Sequence, residues 1–289
     1  MSRKLLAIML GTSATAALAR EVWLEAPRFR LQPGERAHVR AFVGQNFAGE
    51  PWSNKAAKVH RIVRFGPADS TDLTPRHAAA TDTFRTAFTF AQPGTHLVLL
   101  QSTSSFIELP AAQFTAYLRA EGLDYALKLR QENEETAKPG RETYSRCAKT
   151  LVQVGDPTRV PLAADSACRH IYGLPLELVP EQNPYRLAAD KALTVRVLRG
   201  GRPAFGAAVQ VWQRQPGGLP TTHYTTRANQ SGRILLRLSG PGPYLLSTVD
   251  MRPAPPRLRE RADWQSIWAS LTFAGPTAAI RPARPATQH

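Results

Sequence analysis

The side chains best able to do chemistry in this 289-residue chain are seven histidines, two cysteines and scattered carboxylates. None of the histidines stands in an HExxH, His-x-His or comparable ligand spacing. The best single candidate is His223, beside Tyr224 in a strand-like stretch, with Asp250 and Met251 within reach on a neighbouring predicted strand. Such a trio would hold a divalent transition metal: imidazole and carboxylate suit Ni, Co, Zn or Cu(II), and a thioether favours Cu(I). His38 and His96 fall in predicted strands and read as core-edge imidazoles bonded to carbonyls. His60 and His77 have polar neighbours and read as solvated.

Nucleophilic chemistry finds less support. Cys147 lies between Arg146 and Lys149, and nearby cations would stabilise a thiolate, yet no partner histidine is implied by position. The competing reading is a strand whose Ala148, Val152 and Val154 pack inward while Lys149 and Gln153 face water. Cys147 and Cys168 are the only cysteines, and the sequence leaves open whether they form a disulfide. Glu25, Glu108 and Glu177 are the pool from which a glycosidase would draw its paired carboxylates, but nothing singles out two of them. Trp264 and Trp268 are four apart, so in a strand they share a face. The sequence assigns them to closing a sandwich core, with a ligand platform as the other use.

The elements that must position these residues are mostly strands. From Val22 to about Leu109, short alternating runs such as Ala37, Val39, Ala41 and Val43 are punctuated by Pro33-Gly34, Gly66-Pro67 and Pro93-Gly94, as in antiparallel strands over a core. Between Pro110 and Lys138 the period becomes helical, with Phe114, Tyr117 and Leu118 on one face and Leu123, Ala126 and Leu127 continuing it, and Pro110 in the first turn. From about Leu187 short strands return at even spacing, the pattern of a Greek-key sandwich of transthyretin-like type. The fold class is therefore mainly β, with two immunoglobulin-like or transthyretin-like sandwich regions and a small helical insertion. The chain divides into a signal peptide (1–19), an N-terminal β-sandwich (20–109), the helical insertion (110–140), a β extension and linker (141–186), a C-terminal sandwich (187–275) and a disordered tail (276–289).

The signal peptide rests on Arg3 and Lys4, a mostly apolar run from Leu5 to Ala17, and small residues at Ala17 and Ala19 before the cut. Cleavage after Ala19 would place the mature chain in the periplasm. The run is too short and too interrupted by Gly11, Thr12, Ser13 and Thr15 for a bilayer span, and no later segment supplies a transmembrane helix. A formal charge of +15 raises the question of nucleic acid, but the basic residues are scattered and no nucleic-acid module is present, which excludes that class. The Pro-rich basic segment around Arg257, Arg259 and Arg261 reads as an exposed loop.

Val22-Trp23-Leu24-Glu25, Gly44-Gln45-Asn46-Phe47, Glu108-Leu109-Pro110, Phe114-Thr115-Ala116-Tyr117-Leu118, Tyr144-Ser145-Arg146-Cys147-Ala148-Lys149 and Gly173-Leu174-Pro175 follow one another along the chain. Asn183-Pro184-Tyr185 and Trp264-Gln265-Ser266-Ile267-Trp268 complete the series. In this order the stretches resemble the DUF4198 family. The resemblance implies a periplasmic, β-rich, non-enzymatic protein grouped with nickel and cobalt uptake components. The family's usual histidine at the first mature position and its His-Met pair near the last strand are replaced here by Arg20 and Asp250-Met251, and arginine offers a metal no lone pair. The leading expectation is an exported binding or accessory protein of transition-metal uptake or homeostasis, working with a membrane transporter or another envelope protein. The alternatives are a structural interaction module without a small ligand and, third, a periplasmic glycan hydrolase.

Overall fold

Alternation of apolar and polar residues selects strands through most of the chain, and the structure is mainly β. The computed structural model describes residues 21–52, 58–74, 85–188, 191–215 and 221–276, so the expected signal peptide, Arg20, His77 and nearly all of the expected tail lie outside the described residues. The first half holds β1 (Glu21–Glu25), β2 (Arg30–Leu31), β3 (Glu35–Gln45), β4 (Ala48–Pro51), β5 (Val59–Phe65), β6 (Ser70–Asp72), β7 (Arg85–Phe90), β8 (Gly94–Ser102) and β9 (Ser105–Leu109). Helices α1 (Ala111–Ala120) and α2 (Asp124–Glu132) follow, then the long β10 (Gly140–Val154). After it come β11 (Leu176–Pro180), β12 (Ala192–Arg199), β13 (Arg202–Pro203), β14 (Ala208–Gln213), β15 (Thr222–Arg227), β16 (Arg233–Arg237), β17 (Pro243–Pro253) and β18 (Trp264–Ala274). No helix among the described residues is long and apolar enough to cross a membrane.

These strands form three sheets, and the middle one is shared. In the ten-stranded sheet the order is β15-β14-β17-β18-β10-β8-β5-β6, with β2 and β9 also pairing β10. β10 runs parallel to β18 from Glu142 to Thr150 and antiparallel to β8 from Leu151 to Val154, so strands of both halves of the chain meet on it. One face of this sheet, carrying Ile62, Val98, Leu100, Ala148 and Val152, packs on the sheet of β1, β3, β4 and β7. The opposite face, carrying Val63, Leu97, Cys147, Leu151, Val211 and Leu271, packs on the sheet of β11, β12, β13 and β16. The two sandwiches thus have a common wall.

Where the β1 sheet ends, the helices take over its face. Phe114, Tyr117 and Leu118 of α1 pack on Val249, Met251, Trp264 and Trp268, and Tyr117 stacks on Trp268 at 5.9 Å. The two tryptophans do share a face, but they close this helical cluster and not the inter-sheet core assigned to them. Pro110 is the N-cap of α1, one position ahead of the first turn. Gly140 is needed at the start of β10, because a Cβ there would drive into the Phe114 ring. Hydroxyls on β18 tie β1 to the central sheet: Ser270 Oγ donates to the Val22 carbonyl at 2.7 Å and Thr272 Oγ1 to that of Leu24 at 2.5 Å, each worth about 1 kcal/mol.

Burial on both faces corrects the reading of β10. Lys149 is 1% exposed and Gln153 is fully buried, so neither faces water. The Lys149 ammonium meets Glu177 Oε1 at 3.0 Å between the central and β11 sheets, and Glu177 also accepts the amides of Tyr172 and Leu174. Burial pushes the Lys149 pKa down, opposed by the Glu177 carboxylate. Breaking such a pair leaves an uncompensated buried charge. Glu177→Ala is expected to lower the unfolding free energy by about 3–5 kcal/mol, and adding Lys149→Met should restore part of it. Urea denaturation of the two variants measures both effects.

An arginine-lined cleft as candidate functional site

The three residues picked as metal ligands are not brought together. His223 on β15 pairs with Trp212, which pairs with Leu245, six residues along β17 from Met251. At about 3.3 Å per residue this separates His223 from Met251 by roughly 20 Å. Asp250 and Met251 are consecutive on a strand and so point to opposite faces. Met251 is buried under the helices, whereas Asp250 pairs with Arg199 at 2.7 Å and with Arg252 at 3.2 Å. His223 stacks on Trp212, centroids 4.9 Å apart, and its Nε2 lies 3.1 Å from Gln210 Oε1. Among the described residues no group of three or more His, Cys, Asp or Glu side chains could hold a metal ion.

Asp250 belongs instead to a cleft of about 730 Å³ that the sequence reading passed over. One wall is the α1–α2 connection, Gly122 to Tyr125; the others are the β13–β14 segment and the end of β17. Gly122 makes the connection possible: its φ is +64°, and a Cβ there would stand 3.0 Å from that of Ala208. Four guanidinium groups line the cleft: those of Arg199, Arg202, Arg227 and Arg252. Arg227 pairs with Asp124 at 2.7 Å, and Arg252 lies over the Tyr125 ring at 5.5 Å. Among the described residues Arg202 has no side-chain partner. Phe205 is 72% and Tyr125 53% exposed, and both rings line the cleft. The stretch Leu198-Arg199-Gly200-Gly201-Arg202-Pro203-Ala204-Phe205 was the available signal, since it sets two arginines and a phenylalanine around a tight turn.

Behind the α1–α2 wall lie three carboxylates, Glu21 and Glu142 buried and Glu121 half-buried. Glu121, at the end of α1, accepts from Gln210 Nε2 at 2.6 Å, and Gln210 in turn meets His223. Glu21 is 5% exposed and its Oε2 has no hydrogen-bond partner among the described residues. Further along, Glu142 accepts from Ser266 and, at 3.3 Å, from Tyr117. Loss of solvation, with Glu121 repelling Glu21, raises Glu21 to about 8; burial likewise raises Glu121 and Glu142 to about 7.

The remaining sequence candidates are structural in their surroundings. Cys147 and Cys168 are free and buried, and burial pushes both thiols up to about 12, so neither is a ready thiolate. The lysine that would have activated Cys147 is held by Glu177. His96 is buried with Nε2 2.8 Å from the Gln92 carbonyl, as expected, but His38 is exposed on β3 and not a core-edge ring. Glu25 pairs with Arg214 at 2.8 Å and Glu177 is fully enclosed, which leaves Glu108 as the member of that pool beside open space. Arg257, Arg259 and Arg261 are exposed, as the loop reading required.

Fold and cleft define a layered β-sandwich protein with a basic, aromatic-flanked cleft. The chain belongs to the family described as "Domain of unknown function (DUF4198)", which it matches over residues 17–251. No curated protein matches it. Among solved structures, trypsin-activated alpha-2-macroglobulin from Escherichia coli aligns at 9% identity and a TM-score of 0.21, covering 90% of this chain and 16% of that one. Three N-terminal domains of the bacteriophage RB49 outer capsid protein Hoc align at 8% identity and 0.21, covering 89% and 69%. Chicken CNTN1 FN1–FN3 domains align at 7% identity and 0.20, covering 88% and 66%. This chain therefore spans only a small part of the macroglobulin, and likeness at these scores carries no argument about what it does.

The carboxylate row makes stability fall with alkalinity. The folded chain keeps protons on Glu21, Glu121 and Glu142 that the unfolded chain releases near 4.5, so their contribution is intact below that pH and is lost as pH rises to about 8. Glu121→Gln keeps an acceptor for Gln210 and removes the charge. It is expected to raise the thermal midpoint by about 2–5 °C at pH 8 and by less at pH 5, measured by circular dichroism melts at the two pH values.

Proposed function

We propose that this protein is an exported accessory protein of transition-metal uptake that binds its ligand without transforming it. The observation that carries the binding part is the cleft: four arginines and two exposed aromatic rings converge on one concave surface, the arrangement expected of a preformed site. The metal part is supported by family membership and the nickel and cobalt setting that the resemblance implies. Guanidinium groups repel a bare cation and have no lone pair to give it, so the metal enters this cleft only inside an anionic complex. Accessory action at a membrane transporter in the periplasm fits the basic N-terminal segment and its small-residue cleavage site.

Two measurements test this. Fractionation of expressing bacteria should find a chain that begins at Arg20 in the periplasmic fraction; full-length chain retained in the cytosol would refute export. Thermal melts of that mature chain should shift upward with Ni²⁺ or Co²⁺ presented as citrate complexes and not with the bare ions, by roughly 2–4 °C for each kcal/mol of linked binding. A shift with bare metal that vanishes in His223→Ala would put the site at His223, and no shift with any metal form would remove the metal from the reading.

A further inference from the structure

We propose that the arginine-lined cleft recognises compact polycarboxylate anions, with separate guanidinium groups each taking one carboxylate; this rests on the cleft being the binding site and is independent of any metal. The cleft already shows how it would do so. Asp250 is held by Arg199 from one side and by Arg252 from the other, and Asp124 is held by Arg227. Each is a carboxylate of the protein itself occupying a guanidinium, which is the geometry a ligand carboxylate would adopt.

Charge and shape then select the ligand. Two aspartates offset two of the four arginines, so the cleft keeps a net charge of about +2, and exposed Arg202 has no side-chain partner among the described residues. A monocarboxylate could engage Arg202 alone. A ligand carrying two or three carboxylates on a short carbon frame could engage Arg202 and also share Arg199 or Arg227 with the resident aspartates. The Phe205 and Tyr125 rings bound the same space and would cover the ligand's carbon frame. The cleft's volume is well above what such an ion needs, which leaves room for a chelated cation on its outer side.

Titration calorimetry of the mature chain with succinate, citrate, acetate and inorganic phosphate at low ionic strength tests the proposal. Citrate is expected to bind once per chain, at least about tenfold tighter than acetate or phosphate. Arg202→Ala and Arg227→Ala should each weaken citrate by about tenfold, the loss of one charge-assisted contact. Arg237→Ala, on the exposed end of β16, should leave it unchanged. Phosphate binding as tightly as citrate would overturn the proposal, as would citrate binding insensitive to Arg202→Ala, or a glutamate-rich peptide binding where citrate does not. Repeating the titration with the Ni²⁺–citrate complex separates the two readings. If citrate binds and its nickel complex does not, the uptake reading falls while the polycarboxylate site stands. If the nickel complex binds and Arg202→Ala is without effect, the reverse holds.

Discussion

Everything in this structure depends on one strand being buried on both faces. β10 lies in the middle of the central sheet, with the β1 sheet against one side and the β11 sheet against the other, and its residues from Cys147 to Val154 are all enclosed. A strand in that position has no solvent side on which to place a polar residue cheaply. Its longest polar side chains find partners within the protein, whereas the buried Thr150 hydroxyl has none among the described residues. Lys149 finds Glu177, and Gln153 joins Thr95, which is itself bonded by Asn183. Parallel pairing with β18 is the natural neighbour for such a strand, because parallel strands occur where both faces are covered.

From that wall the positions of the helices and the cleft follow. α1 and α2 cover the stretch of the central sheet that the β1 sheet does not reach, and the turn between them, hinged at Gly122, falls beside β14 and β17. The cleft is therefore made where three segments of distant sequence meet at the end of the central sheet. The same closure buries Glu21 and Glu142 and half-buries Glu121 at the end of α1, and loss of solvation raises all three. A basic cleft and an acidic row lie near one short connection, and the acidic residues in the cleft's own lining are Asp124 and Asp250.

Much of the fold was legible because periodicity is a local property. The helical run after Pro110 and the shared face of Trp264 and Trp268 were both visible in spacing alone, and so were the strands after Leu187. Reading the site failed for a related reason. Spacing says that Asp250 and Met251 point opposite ways, yet only the sheet order shows that His223 lies two strands from β17 and well along it. The arginines at 199, 202, 227 and 252 form no motif in the sequence, and their meaning comes from a turn, a strand end and a hairpin arriving together.

What the sequence by itself determined is the β character of the chain, its helical insertion, and which residues of each strand share a side, because these follow from alternation and turn chemistry between near neighbours. What only the tertiary structure decided is what covers each side. Lys149 reads as solvent-facing until the β11 sheet is laid over it, and Trp264 reads as sandwich core until α1 is. The pairing of β10 with β18 joins residues more than a hundred positions apart. No local pattern encodes such a contact, since it is settled by which assembly of layers leaves the fewest apolar faces and unpaired polar groups in water or in the core.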